Sequence, residues 1–352
     1  MNNKMKNVLS AVGGCDAVII CTEVSRRYLL GFPSSDGTLI IKDDGAVFII
    51  DGRYSEAARA AVRDAEVIEQ NKLFEQIKSI LGGCKTVAVE TALPYRTVSA
   101  FRNALSGYNV KALPEIDREI EKMRSIKSAE EVDNIKAAQG IAELAFDHIL
   151  GFIKPGVSDI EIAAELEYVM RRNGAERMAF DTIAISGSVT SMPHGVPTCK
   201  KVENGDFVTM DFGAVVNGCH SDMTRTVAVG DVTDEMKKVY RVVLDAQKAA
   251  LDALKAGLLC SDGDLAARKV IANAGYGDCF THATGHSVGY EIHESPTLSP
   301  SAKGTLSAGN VVTVEPGIYI AGRFGVRIED MALITENGCE NLTSAKKELI
   351  VL

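Results

Sequence analysis

Four carboxylates interrupt stretches of the chain that otherwise have the composition of buried β-strands. They are Asp211, Asp222, Glu315 and Glu329. Burying a charged group without a partner is costly, so a fold that buries these strands must bring each carboxylate to a cation or a ligand. Asp211 and Asp222 can meet on facing strands of a hairpin. The structural alternative is an ion pair between Asp211 and Arg225.

The histidines are concentrated in one segment of the chain. His282, His286 and His293 are three of the six histidines. Gly285 and Gly289 disfavour a helix in this segment, so the helical H-E-x-x-H arrangement of zinc ligands is not expected. From this segment alone, metal binding or proton transfer and an ordinary structural role both stay open.

Taken together, the acids and the histidines predict a metal centre. Two divalent ions about 3.5–4 Å apart would neutralise such a cluster and use it for hydrolysis. Four carboxylates and one imidazole form an oxygen-rich donor set. Such a set suits manganese, cobalt, iron or zinc better than a thiolate-type site would.

The first third of the chain alternates short apolar runs with segments of helical spacing. We predict strands at 17–21, 37–41, 46–50 and 86–89, and helices at 54–64, 73–81 and 95–105. Alternating strands and helices are typical of a small α/β domain. A charge-rich stretch at 114–127 follows, and we place the domain boundary within it, after residue 122.

The rest of the chain has two pairs of predicted helices, each associated with strands. Capping boxes that start at Ser128 and Ser158 begin the first pair. The second pair is predicted at 234–256 and 262–274, and the strand-rich blocks at 181–230 and 305–350. The order of helix pair, strands, helix pair and strands indicates an internal duplication, although we find no sequence identity between the halves.

The composition excludes several classes of protein. Asp plus Glu number 47 against 38 Lys plus Arg, giving a net charge of −9 without a dense basic patch, so a nucleic-acid-binding protein is not expected. The eight cysteines form no C-x-x-C pair, which favours free thiols in a reducing compartment. No apolar run reaches about 18 residues, so we expect no membrane span. We also expect no signal peptide and a cytoplasmic protein.

Short strings along nearly the whole chain match one family. In the second part they are Pro193-His-Gly, Asp211-Phe-Gly-Ala, Ser221-Asp-Met-Thr-Arg-Thr, Thr284-Gly-His, Ile292-His-Glu, Val314-Glu-Pro-Gly-Ile-Tyr and Val326-Arg-Ile-Glu-Asp. In the first part they are Arg27-Tyr-Leu-Leu-Gly-Phe and Asp51-Gly-Arg-Tyr. With these strings the chain resembles the creatinase/prolidase/aminopeptidase P superfamily of metallopeptidases.

The resemblance implies a fold and an activity. An α/β domain of the creatinase/prolidase type would span 1–122. A catalytic domain at 123–352 would have the α+β pita-bread fold, a pseudo-twofold curved antiparallel sheet flanked by two helix pairs. The implied reaction removes the residue before proline from a peptide, as an Xaa-Pro aminopeptidase or an Xaa-Pro dipeptidase (prolidase). The resemblance also implies a homodimer.

The resemblance further implies two divalent metal ions, with manganese first and cobalt, zinc or iron as alternatives. Their ligands would be Asp211, Asp222, His286, Glu315 and Glu329. Asp222 and Glu329 would bridge the metals, Asp211 would hold one of them, and His286 with Glu315 would hold the other. A bridging water, made acidic by both metals, would attack the scissile carbonyl as hydroxide.

Other residues receive roles from the same resemblance. Glu315 would accept the proton of the water. His194 and His293 would stabilise the tetrahedral intermediate or pass a proton to the leaving nitrogen. His282 and Arg327 would support the ligands or bind the substrate.

The chain departs from the family pattern at two places, and neither removes a ligand. Ser287 stands where the family usually has a glycine after the ligand histidine. This difference affects the expected geometry of the pocket or the expected substrate. Cys219 and His220 stand in a loop that commonly carries an aromatic residue.

Three alternatives to an Xaa-Pro peptidase stay open. They are a creatinase-like hydrolase of another C–N bond, a methionine aminopeptidase, which would not need the N-terminal domain, and a non-catalytic peptide-binding module.

Overall fold

In the computed structural model, which describes residues 1–352, the chain divides into two units, Met1–Arg124 and Ser125–Leu352. The predicted boundary after residue 122 lies close to this division. None of the helices combines the length and apolarity that crossing a bilayer requires. All eight cysteines are free thiols.

The first unit contains a six-stranded mixed sheet. Its strands are β1 Ala17–Ile20, β2 Thr38–Lys42, β3 Gly45–Ile50, β4 Glu66–Glu69, β5 Thr86–Val89 and β6 Asn109–Ala112. They are ordered β4-β3-β2-β1-β5-β6, with β1–β2 and β2–β3 antiparallel and the other pairs parallel. Each residue of the central strand β1 is buried, as its uninterrupted apolar sequence leads us to expect.

Six helices complete the first unit, the last of them ending at the boundary. They are α1 Asn3–Ala11, α2 Glu23–Leu30, α3 Gly52–Ala61, α4 Leu73–Leu81, α5 Tyr95–Ala104 and α6 Pro114–Ser125. The predicted strands and helices are present, whereas α1, α2, β4 and β6 were not predicted. Strands β4 and β6 are the edges of the sheet, and their polar, half-exposed residues give no apolar run to detect.

The second unit contains two helix pairs, as predicted. They are α7 Ala129–Ile149 with α8 Asp159–Arg172, and α9 Asp234–Ala253 with α10 Cys260–Asn273. The capping boxes at Ser128 and Ser158 both form, with each serine accepting from the backbone N–H three residues later and the glutamate there accepting in return. These caps satisfy backbone donors that the first helical turn leaves unpaired.

The strands of the second unit lie between and after the helix pairs. They are β7 Ile183–Ser186, β8 Phe207–Phe212, β9 Val215–Val216, β10 Cys219–His220, β11 Met223–Ala228, β12 Gly285–Ser287, β13 Glu294–Leu298, β14 Val311–Val314, β15 Gly317–Ile320, β16 Phe324–Arg327, β17 Asp330–Ile334 and β18 Cys339–Asn341. They form antiparallel sheets of order β11-β8-β7 and β13-β12-β14-β17-β18, with β9–β10 and β15–β16 as two-stranded ribbons.

Each helix pair of the second unit has its own hydrophobic core. Residues of α7 and α8, such as Ala142 and Leu166, are buried with Val208 and Met210 of β8. The corresponding core of α9 and α10 includes strand residues from β14, β16 and β17. Two helix pairs, each buried against antiparallel strands, are consistent with the internal duplication that the order of elements predicts.

Candidate active site

Strand pairing brings the four carboxylates of the apolar runs into one region. Asp211 on β8 pairs with Thr224 of β11, and Asp222 immediately precedes β11. Val314 pairs with Asp330, so Glu315 and Glu329 leave β14 and β17 at the same end of that pair. One ligand oxygen from each of Asp211, Asp222 and Glu329 lies within 4.8 Å of the others.

His286 and Glu315 lie next to this acidic cluster. The Nε2 atom of His286 is 3.6 Å from Oδ2 of Asp222 and 3.4 Å from Oε1 of Glu315. The Nδ1 atom of His286 lies 3.1 Å from the carbonyl oxygen of Ser287, to which it donates. That hydrogen bond leaves Nε2 as an acceptor toward the carboxylates, the orientation that a metal-binding imidazole requires.

Burial and mutual repulsion oppose ionisation of these carboxylates. Burial, Asp211 and Glu315 raise the pKa of Asp222 well above its usual value. Burial and Asp222 likewise raise the pKa of Glu329. Burial raises the pKa of Glu315 to about 7. Without a cation, the cluster therefore holds protons at neutral pH or is destabilising.

Two oxygen atoms in the cluster are buried without a hydrogen-bond donor. They are Oδ1 of Asp211 and Oε1 of Glu329. The other oxygens of these two carboxylates are engaged, since Arg327 donates to Oδ2 of Asp211 at 2.5 Å and Thr224 donates to Oε2 of Glu329 at 2.7 Å. Buried acceptors without donors are uncommon, and a divalent cation bound by oxygen ligands would satisfy both. The donor set therefore fits a metal centre.

The proposed ion pair between Asp211 and Arg225 does not form. Asp211 is paired with Arg327 instead, and Arg225 pairs with Asp330 at 2.8 Å. The register explains this, because Asp211 lies opposite Thr224 and Arg225 lies opposite Met210. Arg225 and Asp211 consequently point to opposite faces of the sheet.

A hydrogen-bonded chain joins His282 and Arg327 to the cluster. The Tyr319 hydroxyl lies 2.8 Å from Nε2 of His282 and accepts from Nη1 of Arg327 at 3.0 Å. Burial raises the pKa of Tyr319 to about 12 and lowers the pKa of His282 to about 4, so both groups are neutral near pH 7. Tyr319 has no predicted role, although it ends the string that begins at Val314.

All the predicted site residues line one cavity of about 580 Å³ in the second unit. They are His194, Asp211, Asp222, His282, His286, His293, Glu315, Arg327 and Glu329. The ring of His293 packs edge-to-face on the ring of His286, with 4.4 Å between centroids. His194 is exposed on the loop after the 3₁₀ turn at Gly187–Ser191. Apolar residues complete the wall: Phe180, Ile183, Pro193, Val196, Pro197 and Ile292.

The two departures from the family pattern lie outside the cavity lining. Ser287 is fully buried, with Oγ 3.4 Å from Nζ of Lys127. His220 is buried on β10, and its Nδ1 atom donates to the carbonyl oxygen of Gly289 at 2.9 Å. Neither side chain replaces or crowds a predicted ligand.

Comparison with known proteins identifies the family. Residues 133–336 match the model of metallopeptidase family M24, and residues 4–126 match that of the creatinase/prolidase N-terminal domain. The chain belongs to metallopeptidase family M24. As a member it is a hydrolase of peptide bonds that uses divalent metal ions, and the predicted fold class, with its pita-bread catalytic domain, is confirmed.

Relatives of this M24 peptidase match it over almost its whole length. An Xaa-Pro dipeptidase of Pyrococcus furiosus is 40% identical over 95% of both chains. The structure of an Xaa-Pro dipeptidase from Bacillus anthracis has a TM-score of 0.94 and 40% identity, covering 99% of both chains. An X-Pro aminopeptidase from Thermotoga maritima has a TM-score of 0.91 and 37% identity, covering 96% of this chain and 98% of its own.

Proposed function

We propose that this peptidase hydrolyses the bond between an N-terminal residue and a following proline. The observation that carries the proposal is the carboxylate cluster with His286 at one cavity, in a chain whose relatives are named Xaa-Pro peptidases. The cavity of about 580 Å³ has the size of a site for small molecules, and its wall of aliphatic, aromatic and proline residues suits a pyrrolidine ring.

The proposed ligands form two groups that share Asp222. Asp211, Asp222 and Glu329 approach one another within 4.8 Å, while His286 lies within 3.6 Å of Asp222 and Glu315. This geometry supports two ions, and the oxygen-rich donors support manganese, with cobalt, zinc or iron as alternatives. When bound, such ions make water acidic and polarise the substrate carbonyl.

The protein's own groups would hold and move protons around the scissile bond. Glu315 would accept the proton of the attacking water at a carboxylate oxygen. His293 and His194, which both line the cavity, would stabilise the developing oxyanion or donate a proton to the leaving proline nitrogen. Arg327 would fix the orientation of Asp211.

The hydrogen bonds of Arg327 within the protein indicate which lengths of substrate the site accepts. Its guanidinium already donates to Asp211, Thr224, Tyr319 and the carbonyl oxygen of Pro193. The other basic side chains of the cavity are imidazoles. We therefore propose that the enzyme does not depend on the terminal carboxylate of a dipeptide, and that it cleaves Xaa-Pro-Yaa tripeptides and Xaa-Pro amides within about tenfold of the dipeptide kcat/KM.

The test is hydrolysis of Xaa-Pro dipeptides, Xaa-Pro amides and Xaa-Pro-Yaa tripeptides after removal of metals by a chelator. Activity should return on addition of manganese, cobalt or zinc, and Glu315→Ala should abolish it. Lys136→Met, which removes an exposed ion pair with Glu340, serves as the matched control and should be fully active. Turnover of the dipeptides without any turnover of the amides and tripeptides would contradict the proposed length tolerance, and a metal-loaded enzyme that cleaves none of the three substrate types would contradict the proposed specificity.

Three further predictions stay untested. A homodimer is expected, and light scattering of the purified protein would measure its mass. A cytoplasmic location and a division into two domains, 1–122 and 123–352, are also expected. Limited proteolysis would test the domain division, since cleavage near residue 122 should leave two stable fragments.

A further inference from the structure

Both departures from the family pattern lie beside one segment, residues 288–293, which we call the His293 loop. The backbone N–H of His220 donates to the carbonyl oxygen of Gly289 at 2.8 Å, and its Nδ1 atom donates to the same oxygen at 2.9 Å. Ser287 immediately precedes the loop and is fully buried. The loop is therefore held from β10 on one side.

A buried ion pair holds the other end of the His293 loop. Lys127 Nζ lies 2.7 Å from Oε2 of Glu294, and the two side chains are only 2% and 5% exposed. The same ammonium group lies 3.4 Å from Oγ of Ser287. Lys127 therefore contacts the residue before the loop and the residue after it.

The carboxylate of Glu294 also accepts a hydrogen bond from the backbone of the loop. Its Oε1 atom accepts from the backbone N–H of Glu291 at 3.0 Å. A Cβ atom at Gly289 would lie 2.7 Å from both carboxylate oxygens, so the loop backbone passes directly against this group. The loop's shape thus depends on Glu294 keeping its pairing with Lys127, since a buried carboxylate is costly without its cation.

The shape of the loop determines where His293 lies. His293 directly precedes Glu294, and its ring packs 4.4 Å from the ring of His286 at the cavity wall. We propose that Lys127, through Glu294 and Ser287, is a positioning residue that fixes His293 against the scissile bond. This inference rests on the proposed role of His293 in the Xaa-Pro reaction.

The experiment compares Lys127→Met, His293→Ala and the double variant in the full-length, metal-loaded enzyme. Lys127→Met should lower kcat by about 10–100-fold, as loss of a group that orients a catalytic residue does, with metal content and KM nearly unchanged. The double variant should be no slower than His293→Ala within about threefold, because groups that act through one another are not additive.

Two further variants separate positioning from general stability. Glu294→Gln keeps the shape of the side chain and should reproduce the kcat loss even if Lys127→Met folds poorly. Lys136→Met removes an exposed ion pair from the neighbouring helix and should leave kcat unchanged. If Lys127→Met and Glu294→Gln lower the melting temperature but retain full kcat per metal-loaded molecule, the inference is overturned. Additive losses in the double variant would also overturn it.

Failure of this inference is distinguishable from failure of the proposed function. Full activity of Lys127→Met beside an impaired His293→Ala overturns only the positioning role. Full activity of His293→Ala overturns the positioning role together with the proposed role of His293, and leaves the proposed metal ligands untouched.

Discussion

Two neighbouring residues, Glu329 and Asp330, carry buried carboxylates in opposite environments. The side chain of Glu329 belongs to the acidic cluster, where Thr224 donates to one oxygen and the other oxygen has no donor. Burial and the neighbouring acids raise the pKa of Glu329. The two residues are 1% and 0% exposed, so burial alone does not distinguish them.

Asp330 is surrounded by donors on the other side of the same backbone. Its carboxylate accepts from Arg225, Gln247, Asn341 and Lys347 at 2.6–2.9 Å. Burial alone would raise the pKa of Asp330, but Arg225 and Lys347 lower it. Asp330 therefore has hydrogen-bond donors at both carboxylate oxygens, whereas Glu329 has a donor at only one. Between these two neighbours, the number of donors and not the degree of burial distinguishes the acid of the cluster from the structural acid.

The largest expected effect is on catalysis, from Glu329→Gln. The amide keeps the shape of the side chain but loses the charge, so the proposed metal centre loses a shared ligand. We expect kcat/KM on an Xaa-Pro peptide to fall by at least about 10³-fold. The chelated variant should be at least as stable as the chelated wild type in urea, because a repelled buried charge has been removed. If Glu329→Gln lowered the stability and left the activity normal, Glu329 would be a structural carboxylate and not a metal ligand.

Asp330→Asn should lower the stability of the fold and leave metal binding intact. It leaves Arg225, which is 1% exposed, and Lys347 without their counter-charge. Removing one partner of a buried ion pair typically costs about 3–5 kcal/mol in the free energy of unfolding. Urea denaturation measures this, and Glu340→Gln, which removes an exposed pair, should cost less than about 1 kcal/mol. The folded Asp330→Asn protein should still bind metal, and loss of metal without loss of stability would assign Asp330 to the site.

The sequence predicted the parts of this site that local patterns encode. Carboxylates in apolar runs, a histidine-rich segment without helical spacing and two capping boxes all depend on neighbours within a few residues, and each took the predicted form. The family resemblance supplied the grouping of the predicted ligands, which the structure then brought to one cavity.

Cross-strand partners were harder to predict, because register is not visible in a single strand. Arg225 follows Asp222 by three residues and Arg327 precedes Glu329 by two. The pairing of β8 with β11 shows that Arg225 faces away from Asp211, and Arg327 reaches Asp211 from β16. Tyr319 was missed for the same reason, since its partners His282 and Arg327 lie on other segments of the chain. The edge strands β4 and β6 were missed because they bury too little apolar surface to leave a pattern.

The smallest effect is a difference in the pH dependence of stability. Carboxyls with raised pKa values, such as Glu315 at about 7 against a usual 4.5, hold their protons more tightly in the native state. Their contribution to stability is present below the usual pKa and is lost as pH rises through about 7. Asp330 has a lowered pKa, so its contribution is present above the usual 3.8 and is lost only as pH falls below that value.

Between pH 5 and 8 the chelated wild-type protein should therefore lose stability from the cluster while Asp330 contributes a constant amount. Urea denaturation across this range should show a smaller loss in Glu329→Gln and an unchanged loss in Asp330→Asn. Added manganese should reverse the trend, because metal ligands must be deprotonated and affinity rises with pH. If Asp330→Asn abolished the pH dependence and Glu329→Gln retained it, Asp330 would be the carboxylate with the raised pKa. The assignment of Glu329 to the metal centre would then be wrong.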